Sequence, residues 1–265
     1  MSDPIIVAEG PFRSEQFELT PAATGRAYQI TVEVPSRYGR DDRAFPLVIC
    51  LDGPWTFGIV RDSFRLMPLS RVLPEAVVVA VSHSDTDLKA LMQSRAIDFT
   101  PTEATAPPET GVRVPAHEVG KAAMFRRALV DEIIPEISQR YRVNDDHTVV
   151  GHSFSALFAL DTLLHEPSAF SRWVLASPSV WWDDRVMFPR EAAHAEATSD
   201  IAGRVFMSAA GDEGVGYDGH RLFYEQFAAR AYPSLDLRWE EFPGESHFSV
   251  LAPAIGRGLQ AVFAP

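Results

Sequence analysis

The sequence predicts an α/β protein built on a mostly parallel central sheet with helices on both faces. Three observations predict it. Short continuous apolar runs recur along the chain, helical stretches separate them, and each residue type capable of chemistry falls just after one of the runs.

The first third reads as strand-rich. A-Y-Q-I-T-V-E-V-P, from Ala27 to Pro35, alternates as a half-buried strand does, and its proline ends it. F-P-L-V-I-C-L at 45–51 and A-V-V-V-A-V at 76–81 are apolar throughout, as strands covered on both faces are. Residues 84–120 then lose the rhythm: four prolines follow Thr100 and no periodicity is sustained, which predicts an irregular active-site loop. A helix is expected from Lys121 to Arg140, with Phe125, Leu129, Ile133, Ile134 and Ile137 at helical spacing and Pro135 kinking or dividing it. The second half repeats strand and helix more cleanly. H-T-V-V-G leads into S-F-S-A-L-F-A-L-D-T-L-L-H, and R-W-V-L-A-S-P-S into a mixed polar helix. R-V-F-M-S-A-A-G precedes D-G-H-R-L-F-Y-E-Q-F-A-A-R, and L-D-L-R-W-E-E-F precedes the final helix A-P-A-I-G-R-G-L-Q-A-V-F.

A chain of 265 residues suits one large domain, taken here as 1–265. Hydrophobic residues at 46% and charged residues at 23% fit an ordinary globular protein, and no run approaches the roughly 20 apolar residues of a spanning helix. With 24 basic and 36 acidic side chains the formal charge is -12, which argues against nucleic acid or an anionic membrane as partner. A small molecule is the expected partner. The opening M-S-D-P-I-I-V-A-E-G has an acidic residue where a secretory signal is basic, so a cytoplasmic location is expected. The lone cysteine, Cys50, reads as a buried strand residue.

Ser153 carries the chemistry. In V-V-G-H-S-F-S it follows an apolar run and opens a helix, the context of a nucleophile elbow, with Ser155 where the second glycine of G-x-S-x-G stands. The plainer alternative is a serine that caps the helix. A hydroxyl nucleophile needs a base, and His247, in a loop after the last strand, stands where the chain order serine, acid, histidine puts it. His152 is expected to point elsewhere from a sharp turn, His83 could line the pocket, and His117, His147, His165, His194 and His220 read as surface or loop residues. The acid belongs in G-D-E-G-V-G-Y-D-G: Asp212, Glu213 and Asp218 are candidates, and Glu213 is preferred for fixing the imidazole tautomer. The backbone N–H of Phe154 supplies one oxyanion donor; because Pro54 has none, the second falls to Gly53 or Trp55. No metal site and no cofactor are expected: H-E-x-x-H and paired cysteines are absent, and G-D-E-G-V-G lacks the Lys-Ser/Thr ending of a phosphate loop.

Several of these motifs resemble, in order, those of the α/β-hydrolases of the esterase D superfamily, near the siderophore (ferric enterobactin) esterases. F-P-L-V-I-C-L-D-G is similar to that family's oxyanion strand and loop, and R-A-I-D-F-T-P to its R-x-x-D-[YF]-T-P. E-I-I-P-E-I-S-Q-R-Y-R resembles the helix before the elbow. G-H-S-F-S-A-L-F-A-L, S-P-S-V-W-W-D and F-P-G-E-S-H-F-S-V complete the set, from about Ala27 onward. The resemblance implies an α/β-hydrolase fold and a serine hydrolase cleaving a small-molecule carboxylic ester or lactone through an acyl-enzyme on Ser153, with His247 as base. Gly214 stands where the family's glutamate usually does, so Glu213 fits a loop one residue shorter. Ser155, Pro54 and Phe248, the last where the family usually has glycine, depart from the pattern and imply a reshaped pocket and a substrate other than the siderophores. Phe154, Trp181, Trp182 and Phe248 would favour an apolar or aromatic group there, or else pack the core. Arg95 and Asp98 read as a structural pair that could shape the pocket mouth. The competing functions are a thioesterase or acyltransferase using the same elbow, and a hydrolase-fold binding protein that has lost turnover.

Overall fold

The computed structural model describes residues 5–6, 12–106, 113–214 and 218–264. In it, the strands β1 (Ile5–Ile6), β2 (Arg13–Leu19), β3 (Tyr28–Val34), β4 (Phe45–Leu51), β5 (Val77–His83), β6 (Val143–His152), β7 (Arg172–Ala176), β8 (Gly203–Asp212) and β9 (Leu235–Ser246) form one sheet. Their order is β1-β2-β3-β5-β4-β6-β7-β8-β9. The β1 to β3 edge is antiparallel and joins β5 antiparallel; from β5 to β9 every neighbouring pair is parallel. The connecting helices are α1 (Gly53–Leu66), α2 (Leu88–Phe99), α3 (Ala122–Arg127), α4 (Ile134–Arg140), α5 (Phe154–His165), α6 (Trp182–Arg185), α7 (Met187–Ala197), α8 (His220–Ala228) and α9 (Leu251–Phe263).

Alternation along the central strands builds two cores. Leu47, Ile49 and Leu51 of β4 join the core that holds Phe99 of α2, Phe125 of α3 and Phe158 of α5. Val48 and Cys50 point the other way, onto Val60 of α1 and Ile255 and Leu259 of α9. The run at 45–51 therefore has no polar face because both faces are covered, as its sequence predicts. Cys50 is fully buried, and burial pushes its thiol well above the usual range.

One expectation needs correction. The segment 84–120 is not irregular throughout, since α2 occupies Leu88–Phe99 behind an Asp87 cap whose carboxylate accepts the Ala90 N–H at 2.9 Å. Its buried face carries Arg95 and Asp98 beside Leu91, Ala96 and Phe99, so no apolar stripe marks it. Residues 107–112 of that segment lie outside the described residues. The helix at 121–140 is divided, as the sequence predicts, into α3, a π-helical stretch Ala128–Ile133 and α4. The division falls immediately before Pro135, which has no N–H to continue an α-helical ladder. Strand β2 and helix α1 were not expected from the sequence.

Strand β4 lies between β5 and β6, so the connections leaving its end and that of β6 diverge and open a crevice. Asp52 follows β4 and Ser153 follows β6 at this crevice. Among the described residues no helix is long and apolar enough to cross a membrane.

Candidate active site

Ser153 is the single residue between β6 and α5, and its φ of 59° with ψ of -118° is a conformation a residue with a Cβ rarely adopts. The turn is tight on both sides. A Cβ on Gly151 would stand 2.6 Å from the backbone of Ser155, so only glycine fits there. Ser155, at the second small position, is fully buried; its hydroxyl accepts the His152 N–H at 2.9 Å and lies 2.9 Å from the His152 carbonyl, to which it donates. The extra hydroxyl thus ties the elbow to itself.

His247 Nε2 lies 2.9 Å from Ser153 Oγ, and His247 Nδ1 lies 2.7 Å from Glu213 Oε2. The other carboxylate oxygen of Glu213 accepts the Ser177 hydroxyl at 2.7 Å and the Ala210 N–H at 2.6 Å. Burial alone would raise the Glu213 carboxyl, but the hydrogen bond from His247, the neighbouring His220 and the Ser177 hydroxyl hold it down at about 2. The other acids do not join. Asp212 is exposed at the end of β8, paired in register with Ser246, and Asp218 forms a 2.6 Å ion pair with Arg185.

His152 does not point away, as the sharp turn suggested. Its ring packs on that of His247 with centroids 4.9 Å apart, and its Nε2 lies 2.8 Å from the His247 carbonyl. Burial first, and the His247 charge second, lower its pKa to about 3, so His152 is neutral and spends its one N–H on that carbonyl. His220 also departs from expectation: it is buried, where burial lowers its pKa. His83 binds Asp98 at 2.9 Å, within a cluster with Tyr28 and Arg26, and does not line the pocket.

Two helices start beside the crevice. Phe154 opens α5 and Gly53 opens α1, and first-turn amides have no partner within their own helix. Trp55 cannot fill the same role as freely, since its N–H donates to the Asp52 carbonyl at 2.9 Å. Pro54 costs nothing here, because its missing N–H falls in that unpartnered first turn. A Cβ on Gly53 would lie 2.0 Å from Ser82 Oγ and 2.9 Å from the Ala80 Cβ, so the loop passes too close to β5 for any other residue.

A cavity of about 360 Å³ opens over Ser153, walled by Trp55, Phe154, Trp181, Met92 and Phe248. Arg95 lies in that wall, but its partner is Asp52 rather than Asp98: Nε to Oδ1 is 2.6 Å and Nη2 to Oδ2 is 2.8 Å. Its guanidinium stands 4.9 Å from the centre of the Trp55 ring. Trp182, expected at the substrate, is instead core. It is 1% exposed, edge-on behind Phe154, and donates to Thr102 Oγ1 at 3.1 Å. Among the described residues no three His, Cys, Asp or Glu side chains gather to hold a metal ion.

The family model Esterase, described as "Putative esterase", matches residues 21–207. The chain belongs to this esterase family. It has the α/β-hydrolase fold and is a carboxylic ester hydrolase of the serine-hydrolase type. The ferri-bacillibactin esterase BesA of Bacillus subtilis is 28% identical over 253 residues, 91% of this chain and 86% of BesA. The BES protein of Bacillus cereus superposes with a TM-score of 0.82 at 22% identity, each chain fully covered. An IroE-like serine hydrolase from Shewanella oneidensis gives a TM-score of 0.81 at 22% identity, covering 95% of this chain and 80% of that one. The kinship does not favour the thioesterase, acyltransferase or binding-protein alternatives.

Sequence reasoning passed over three residues of this esterase's site. Ser177 holds Glu213, Ser179 Oγ lies 3.2 Å from Ser153 Oγ, and Asp52 holds Arg95. The first two sit in the S-P-S that follows β7, where a left-handed Ser177 (φ 43°) is a backbone feature that no sequence pattern marks.

Proposed function

We propose that Ser153, His247 and Glu213 act as nucleophile, base and orienting acid in hydrolysis of a small-molecule carboxylic ester. The single observation that carries this is the unbroken chain Ser153 Oγ, His247 Nε2, His247 Nδ1, Glu213 Oε2, with contacts of 2.9 Å and 2.7 Å. Ser153 Oγ attacks the ester carbonyl carbon while His247 Nε2 takes its proton. The carbonyl oxygen, now negative, is held by the N–H groups of Phe154 and Gly53. Collapse of this intermediate breaks the carbon–oxygen bond, and His247 returns the proton to the departing alcohol. Water, activated by the same nitrogen, then attacks the acyl-enzyme and releases the acid. Glu213 keeps Nδ1 protonated throughout, which leaves Nε2 free to accept.

A fluorophosphonate probe and a short-chain p-nitrophenyl ester test the assignment. The wild type should be labelled at Ser153 and turn the ester over, and Ser153→Ala should do neither. Retained turnover in Ser153→Ala would overturn the nucleophile assignment.

A further inference from the structure

We infer that this esterase selects an uncharged ester, one whose acyl or alcohol group is apolar and about the size of a single ring, and discriminates against anionic esters. The inference rests on Ser153 as the nucleophile. Three features of the cavity lead to it.

The first is charge. All 24 Lys and Arg side chains fall in the described residues, since residues 1–11, 107–112, 215–217 and 265 contain none. Of them, only Arg95 lines the cavity. It is not available to an anion: both oxygens of Asp52 hold it, and the pair is almost wholly buried. A ligand carboxylate in this cavity would therefore lose its hydration without gaining a cation, in a protein of net charge -12.

The second is the rim. Three exposed large apolar side chains, Leu88 (66%), Met92 (36%) and Phe248 (74%), lie at the cavity. Packing does not require Phe248 to stand in solvent, whereas an apolar ligand entering beside His247 would cover it. The third is size. About 360 Å³ is near the lower end of small-molecule sites, and aromatic walls at Trp55, Phe154 and Trp181 suit one flat group.

Matched esters test the charge step: p-nitrophenyl pentanoate against mono-p-nitrophenyl succinate, alike in length but differing by a carboxylate. The neutral ester should have kcat/KM at least about tenfold higher. Leu88→Lys, which places a cation on the exposed rim, should narrow that ratio at least about threefold, while Leu88→Gln should leave it unmoved. Equal turnover of the two esters, or faster turnover of the succinate, would overturn the inference and leave Ser153 as nucleophile standing. A ratio unmoved by Leu88→Lys would overturn it too, because the discrimination would then not be electrostatic. If neither ester is turned over and the fluorophosphonate fails to label Ser153, the nucleophile assignment falls and this inference with it.

Discussion

Replacing Glu213 by glutamine, the closest change in shape, should damage catalysis more than replacing it by alanine. Oε1 of Glu213 accepts two hydrogen bonds, from Ser177 and from the Ala210 N–H, and Oε2 accepts one, from His247 Nδ1. Glutamine has a single acceptor oxygen. Kept at the Oε1 position, it satisfies the Ala210 N–H but turns its NH₂ toward His247, forcing the imidazole to carry its proton on Nε2, where Ser153 needs an acceptor. Flipped, it restores the tautomer but leaves the Ala210 N–H without a partner, at about 1–3 kcal/mol. Even then a neutral amide replaces a charge-assisted bond to the imidazolium, a further loss of about 1.5–3 kcal/mol. The sum, about 2.5–6 kcal/mol, corresponds to a fall in kcat of about 10² to 10⁴. Alanine imposes no wrong tautomer and forfeits only the second contribution, about 10- to 100-fold, while destabilising the fold by stranding Ala210 and Ser177. Steady-state kcat on a p-nitrophenyl ester, with thermal melts of both variants, reads the two effects separately. Glutamine should be the more stable and less active of the pair. If Glu213→Gln keeps kcat within tenfold of wild type, or exceeds Glu213→Ala, Glu213 does not set the tautomer.

The same carboxylate gives a pH dependence. Its pKa is lowered on folding from 4.5 to about 2, so its stabilisation is fully present above about pH 4.5 and is lost as pH falls toward 2. At about 1.4 kcal/mol per pKa unit the whole effect is about 3 kcal/mol, and urea midpoints at pH 6, 4 and 3 should show wild type converging on Glu213→Gln. Asp52→Ala leaves the Arg95 guanidinium buried without its partner and should cost about 3–5 kcal/mol in chemical denaturation; a loss below about 1 kcal/mol would mean that solvent reaches Arg95. Ser155→Ala strands the His152 N–H inside the elbow and should lower stability by about 1–3 kcal/mol. An unchanged melting temperature would show that the hydroxyl contributes nothing to the turn.

What the sequence made legible was whatever a local pattern encodes. The run at 45–51 is β4 to the residue, because burial on both faces leaves an unbroken apolar signature. The elbow at Ser153 was readable because a strand, a small residue and a helix must meet there. Helix α2 was not, because two of its buried positions are charged. Arg95 and Asp98 stand three residues apart, which suggests a pair, yet they face different strand ends: Arg95 meets Asp52 after β4, and Asp98 meets Tyr28 of β3 and His83 of β5. Spacing along a helix says which charges share it, not which distant chain end each one reaches. His152 makes the same point, since the carbonyl that captures its ring is 95 residues away.

Those distant partners also distinguish the carboxylates of Asp52, at the cavity, and Glu213, behind His247. Asp52 is paired with a guanidinium, which has donors and no acceptor, so the pair ties α2 to the turn after β4. Glu213 is paired with an imidazole, which can exchange a proton. The two acids thus differ in the chemistry of their partners. Exchanging those partners should abolish turnover even with Ser153 and both carboxylates left in place: an arginine at 247 would hold Glu213 but could not accept the serine proton.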